Sequence, residues 1–294
     1  MAIDLRDVPK EKQTYEMCLK SVKVDGRQLE YVDEVHQTDG LCLEAVKRYG
    51  WALKFVKFQT PEICLAAVRE KGNALQYVKD QTPEICLEAV KNCGLALQYV
   101  KHQTLAICLD AVQQDPNALQ FVKEQTPEIC FAAIRIWGNA LQYVKDQTPE
   151  ICLEAVKQTG WAFQYVKDQT PEICLTAVKQ LGLALKYVEE QTPEICLAAV
   201  KQSGWALEYV KEQTPEICLE AVKQKGMALE YIPKREQTLP IAIAALKQTP
   251  DSREFLADRF RTPEVYEAAG YDYKPEDLAV SHSSTKIERT TSRH

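Results

Sequence analysis

Several things that would announce an activity are missing. There are four histidines in 294 residues. His36 and His102 stand just ahead of Gln-Thr pairs, and His282 and His294 lie in the C-terminal tail. No Ser-His-Asp set, phosphate loop or paired-carboxylate constellation stands out, so no enzyme, cofactor or metal is expected. No apolar run reaches the roughly 18 residues of a membrane-crossing helix. The start, Met1-Ala-Ile-Asp-Leu-Arg-Asp-Val-Pro-Lys10, lacks the basic flank and apolar stretch of a secretory signal, so a cytoplasmic chain without membrane contact is expected. A basic excess is missing too: net charge is −6 and the pI near 5.5, which gives no global support to a nucleic-acid or anionic-surface partner.

Cysteine is plentiful, with eleven residues, but ten of them (Cys18, Cys42, Cys64, Cys86, Cys108, Cys130, Cys152, Cys174, Cys196 and Cys218) recur at one place in a pattern. Stacked helices sit roughly 8–10 Å apart, beyond the Cα separation a disulfide spans, so reduced buried thiols are expected. One thiol per repeat, with no recurring histidine, does not make a metal site. Cys93 is off the pattern and is the thiol expected to react first.

The pattern starts with Gln-Thr at Gln37, Gln59, Gln81, Gln103, Gln125, Gln147, Gln169, Gln191 and Gln213, nine in-register repeats of 22 residues. Divergent repeats begin at Gln13 and Gln237, and Arg261-Thr-Pro-Glu-Val-Tyr resembles half of one more. Within the repeat at Gln147, Thr148 caps a helix, Pro149 suits its first turn, and Glu150 favours its positive end. Gly160 is read as the left-handed residue that ends this helix, with the same role for Gly50, Gly72, Gly94, Gly138, Gly182, Gly204 and Gly226, while Pro116 departs from the pattern. A second helix of about two turns, Trp161–Asp168, completes the repeat, burying Ala162, Phe163 and Val166. The first helix, with Ile151, Cys152, Leu153, Ala155 and Val156, reads as apolar nearly all round. Helices this short need neighbours on both sides, which predicts an all-α fold, an α-solenoid of helix-turn-helix repeats with divergent terminal caps. The alternative reads Leu-x-Tyr-Val as a strand, in a leucine-rich-type horseshoe.

The string Gln-Thr-Pro-Glu-Ile-Cys-Leu-x-Ala-Val-Lys-Gln-x-Gly-x-Ala-Leu-x-Tyr-Val-Lys is best seen at Gln147–Lys167 and Gln191–Lys211. It resembles the short repeats grouped as domain of unknown function 4116, over about residues 37–232. The resemblance implies tandem helical repeats and carries no activity or catalytic residue to transfer.

Binding candidates follow from what varies. Nearly identical repeats differ mainly on either side of the glycine, where Tyr49, Trp51, Asn73, Asn117, Trp137, Asn139, Trp161 and Trp205 fall. Large rigid side chains on such an edge suit a protein partner; the alternative is that they cover the helix ends. A basic row, Lys47, Arg69, Lys91, Arg135, Lys157, Lys179, Lys201 and Lys223, with a second lysine row from Lys57 to Lys211, suits a nucleic-acid track, but acidic rows accompany both. The recurring first-position glutamine is read as a ligand of exposed backbone groups, or as a ladder between repeats. The expected organisation is an N-terminal capping repeat (1–36), the nine-repeat solenoid (37–236), a divergent repeat and cap (237–280) and a disordered tail (281–294). The expected function is a non-catalytic scaffold for a protein partner, possible cases being an inhibitor or effector of host or competitor proteins, with nucleic-acid binding as the alternative.

Overall fold

The computed structural model describes residues 3–272; the tail 281–294 and the last part of the C-terminal cap lie outside the described residues. Each repeat is an α-helix of ten residues followed by a 3-10 helix of six. The α-helices are α1 (Tyr15–Val24), α2 (Asp39–Arg48), α3 (Pro61–Glu70), α4 (Pro83–Asn92), α5 (Leu105–Gln114), α6 (Pro127–Ile136) and α7 (Pro149–Gln158), then α8 (Pro171–Gln180), α9 (Pro193–Gln202), α10 (Pro215–Gln224), α11 (Leu239–Gln248) and the shorter α12 (Pro263–Ala269).

The helix starts are made locally. Thr60 is extended, and its Oγ1 accepts from the Ile63 N–H at 3.4 Å, while Pro61 and Glu62 fill the first turn. The end is also local: Lys71 turns extended (φ −146°, ψ 102°) while its N–H still donates to the Ala67 carbonyl. Gly72 then opens the 3-10 helix Gly72–Tyr77.

That second element differs from the two-turn stretch expected from the sequence. In the repeat at Gln147 it spans Gly160–Tyr165, and Val166 beyond it is extended. The reason is periodicity. Gly72, Leu75 and Val78 are spaced by three and are all buried, and a 3-10 helix brings residues three apart onto one line. The strand alternative fails, since the described residues contain no strand and Leu-x-Tyr lies inside the 3-10 helix.

The glycines differ as well. Among the described residues only Gly270 has a positive φ (86°), so the repeat glycines are not left-handed helix ends. They are required by close approach. A Cβ on Gly204 would lie 2.6 Å from the Ala221 carbonyl oxygen and 2.7 Å from the Lys225 Cβ, both in the next repeat. Where the position holds proline, the packing is looser: Pro116 is half-buried and Pro250 exposed, whereas the repeat glycines are buried.

The chain divides into two compact units, Met1–Gln158 and Thr159–His294. In the first, α1 to α7 pack in succession as one layer and the 3-10 helices as a second; in the second unit α8 to α12 and their 3-10 helices do the same. Each is therefore a run of an all-α solenoid. The core lies between the layers and is built from equivalent residues, such as Ile63, Cys64, Ala67 and Val68 from α3 with Ala74, Leu75 and Val78.

The first repeat is covered by residues ahead of it. Leu5 is buried, its N–H donates to Gln28 Oε1 at 2.8 Å, and Ser21, in the place of the repeat alanine, donates to the Ile3 carbonyl at 2.7 Å. At the other end α12 packs on α11. Arg261 stands in the place of the first-position glutamine, its guanidinium donating to the carbonyls of Glu254 and Leu256. Gly270 ends α12 in the left-handed conformation, with no 3-10 helix after it among the described residues.

Candidate interaction surface

The recurrent glutamine, cysteine and glycine are spent on the fold. Gln81 Nε2 donates to the Tyr99 carbonyl at 2.9 Å, and its Oε1 accepts from the Lys101 N–H at 3.0 Å, so the amide closes its own repeat at the end of the 3-10 helix. Gln59, Gln103, Gln125, Gln191 and Gln213 donate to the same place. This is the backbone-binding role expected for the glutamine row.

In most repeats the cysteine sits against that amide, with Cys86 Sγ 3.7 Å from Gln81 Oε1. All eleven cysteines are free thiols; the ten of the ladder are buried and Cys93 is half-buried. Burial pushes Cys42, Cys64 and Cys218 up to about 11, so at neutral pH they are protonated core residues.

A second recurrent bond ties repeats together. The N–H of Gly204 donates to Gln224 Oε1 at 2.6 Å, Gly182 to Gln202 at 2.6 Å, Gly72 to Asn92 Oδ1 at 2.7 Å and Gly50 to Glu70 Oε2 at 2.6 Å. Pro116 has no N–H to give, and the residue in the acceptor's place is Ile136 rather than a carboxamide or carboxylate. Donor and acceptor are lost together, leaving neither orphaned at that junction.

The two basic rows have different fates. In the second row Lys79, Lys101 and Lys123 each donate from Nζ to the carbonyl of the equivalent lysine one repeat earlier, at 2.8–2.9 Å, and Lys211 donates to the Glu189 carbonyl at 2.6 Å. These ammonium groups are engaged in the stack. In the first row Arg69 pairs with Glu88 at 2.8 Å, Lys91 with Asp110 at 3.8 Å and Arg135 with Glu154 at 3.6 Å, each partner one repeat further on; Lys47 meets Glu44 within α2 at 4.0 Å. In the second unit Lys223 pairs with Glu220 on its own helix, while Lys179, Lys201 and Lys247 make no ion pair among the described residues. Lys157 likewise makes none.

The glycine-flanking candidates lie at the surface but are not equivalent. Trp161 is 46% exposed; Tyr49, Trp51, Asn73, Asn117, Trp137, Asn139 and Trp205 are half-buried. Trp51 meets Tyr77 edge-on, with centroids 5.9 Å apart, and Trp205 meets Tyr231 at 6.1 Å with the Lys225 ammonium over its ring. The Arg27 guanidinium lies over Tyr49. Asn117 is held by Asp115 and accepts from the Tyr143 hydroxyl at 3.2 Å. Covering the neighbouring repeat and being accessible are thus combined at this edge. Asn73 and Asn139 each keep a buried side-chain oxygen without a hydrogen-bond partner.

One surface was not singled out in the sequence. The repeat leucines on the α-helices, Leu65, Leu87, Leu109 and Leu153 among them, are half-buried, not enclosed as expected for a helix apolar all round. On α3, α4 and α7 they lie between the acidic residue of the first turn and the basic residue of the last (Glu62 and Arg69, Glu84 and Lys91, Glu150 and Lys157), whereas α5, which carries Leu109, has neither. The spacing Glu-x-x-Leu-x-x-x-Lys places all three on one helix face and was the available signal.

Among the described residues no helix is long and apolar enough to cross a membrane, and no three His, Cys, Asp or Glu side chains converge as a metal site. The family model described as Domain of unknown function (DUF4116) matches repeatedly, at residues 39–82, 60–105, 82–126, 126–170, 148–191, 170–214 and 192–237. No curated protein matches the chain, and no solved structure does.

Proposed function

The chain belongs to the family of unknown function DUF4116, and we propose that it serves as a non-catalytic scaffold for a protein partner, held along the glycine-flanking edge. The carrying observation is the division of labour within the repeat. Glutamine and cysteine are consumed in closing each repeat, and glycine and the second lysine row in joining repeats, whereas the residues that vary from repeat to repeat stand at the surface beside the glycine. Aromatic and amide side chains there, Trp137 and Trp161 above all, are of the kind that anchors protein interfaces. Engagement of the second lysine row by carbonyls, and of Arg69, Lys91 and Arg135 by carboxylates, removes cations a phosphate backbone would need and favours a protein over a nucleic acid.

The test is a pull-down from lysate of the source organism, with and without nuclease, comparing the native chain with Trp137→Ala/Trp161→Ala. These two are chosen because Trp51 and Trp205 also contact tyrosines within the stack. A partner that survives nuclease and is lost with the variant supports the reading. Recovery only of nuclease-sensitive material, indifferent to the variant, overturns it.

A further inference from the structure

In the second unit the α-helical face combines unpaired cations with an open apolar floor. The acidic residue that pairs with the basic row elsewhere is missing or diverted there. Ala198 stands where a partner for Lys179 would be, Ala268 where one for Lys247 would be, and Glu220 pairs with Lys223 instead of Lys201. Beside these lysines run Leu175, Leu197, Leu219 and Ile243, all half-buried. Between α10 and α11 the floor deepens into a groove of ≈ 730 Å³, lined by Leu219, Leu239, Pro240 and Ile243 and rimmed by Lys223 and Lys247. Leu239 is 48% exposed, and Pro240 replaces the glutamate that most other repeats, among them Glu172, Glu194 and Glu216 of this unit, carry at this place.

We propose that this face docks an acidic amphipathic helix of a protein partner, its apolar side in the α10–α11 groove and its carboxylates along Lys179, Lys201, Lys223 and Lys247. Charge complementarity selects this occupant: an apolar trough with a cationic rim is matched by a helix carrying leucines on one side and carboxylates on the flank. A nucleic acid fits worse. Glu172, Glu194 and Glu216 line the other side of the leucine row, where a helix with a single acidic flank presents neutral side chains and a phosphate backbone does not, and the floor offers no stacking aromatic. The proposal rests on the reading of the chain as a protein-binding scaffold and adds a surface separate from the glycine edge.

The probe is a synthetic amphipathic peptide with leucines on one face and glutamates on the flank, fluorescently labelled and titrated by anisotropy into the full chain. A second peptide replaces the glutamates by lysines. The glutamate peptide is expected to bind more tightly, by about tenfold or more, with the gap narrowing at high salt. Ile243→Glu is expected to weaken it by about tenfold. Lys179→Glu/Lys201→Glu/Lys247→Glu, at exposed positions that spare the fold, is expected to invert the preference toward the lysine peptide. Trp137→Ala/Trp161→Ala is expected to leave peptide binding unchanged, so failure here is distinguishable from failure at the edge. Equal binding of both peptides, or a preference unmoved by the charge reversal, overturns the proposal. So does displacement of the peptide by a single-stranded oligonucleotide. A chain shortened at residue 272 that binds the peptide about tenfold tighter than the full chain makes the chain's own C-terminal segment the occupant and equally overturns it.

Discussion

Replacing Gly204 by alanine tests the reason for the repeat glycines. The added Cβ would meet the Ala221 carbonyl oxygen at 2.6 Å, the Gln224 Oε1 at 2.9 Å and the Lys225 Cβ at 2.7 Å. The glutamine end can swing away, but the other two belong to the next repeat's backbone and its root, so the repeats must part. Overpacking of this kind costs about 1–3 kcal/mol. Stretching the Gly204–Gln224 bond adds about 1 kcal/mol, and the stiffer unfolded chain returns about 0.4–1 kcal/mol. The expected net loss is about 1.5–3 kcal/mol. Gly204→Asn separates the two explanations. A left-handed glycine would tolerate asparagine better than alanine, whereas close approach makes the larger side chain at least as harmful. Gly40 is the control, because it lies in the first turn of α2 with nothing within 4 Å of its Cβ; Gly40→Ala is expected to stabilise by about 0.5–1 kcal/mol. Urea unfolding followed by far-UV circular dichroism reads the total, and amide hydrogen exchange locates the loss, since a repeat array need not unfold in one step. An asparagine variant milder than the alanine variant, or a Gly204→Ala variant as stable as Gly40→Ala, would refute the close-approach argument.

Further expectations bear on the other joints of the stack. Pro116→Gly/Ile136→Gln restores the inter-repeat bond of its neighbours, and a double-mutant cycle should give a favourable coupling near 1 kcal/mol; strict additivity would show that the two positions do not communicate. Gln81→Ala strips the Tyr99 carbonyl and Lys101 N–H of their partner and should cost about 1–3 kcal/mol, with faster exchange of the Lys101 amide; unaltered protection there would count against the role. Cys42, Cys64 and Cys218 bind protons more tightly in the folded chain than in the unfolded one, so their contribution to stability is full below pH 9 and is lost as pH rises toward 11; a denaturation midpoint constant across that window would contradict it. At pH 8 a thiol reagent should modify Cys93 ahead of the buried ten, as peptide mapping would read.

How much was legible divides along the range of the interactions. Repeat boundaries, the Thr-Pro-Glu helix starts, the buried Ile, Cys, Ala and Val positions and the all-α class follow from contacts within about one turn of chain, where cap chemistry and apolar spacing act directly. The sequence also placed the variable residues beside the glycine, because repeats can be compared with one another without knowing how they pack. The 3-10 form of the second helix was written in the three-residue spacing of Gly72, Leu75 and Val78, but that spacing was too short to separate from other periods by inspection. The tertiary structure alone decided why glycine recurs. Its reason is the Ala221 carbonyl and Lys225, met 17 and 21 residues further along the chain. It also decided which lysines are free. Lys91 and Lys179 occupy the same place in their repeats, and only the next repeat, with Asp110 after one and Ala198 after the other, makes the first a paired surface charge and leaves the second without an ionic partner. A residue's local pattern sets which face it lies on, and the stacked neighbour sets what it can still do there.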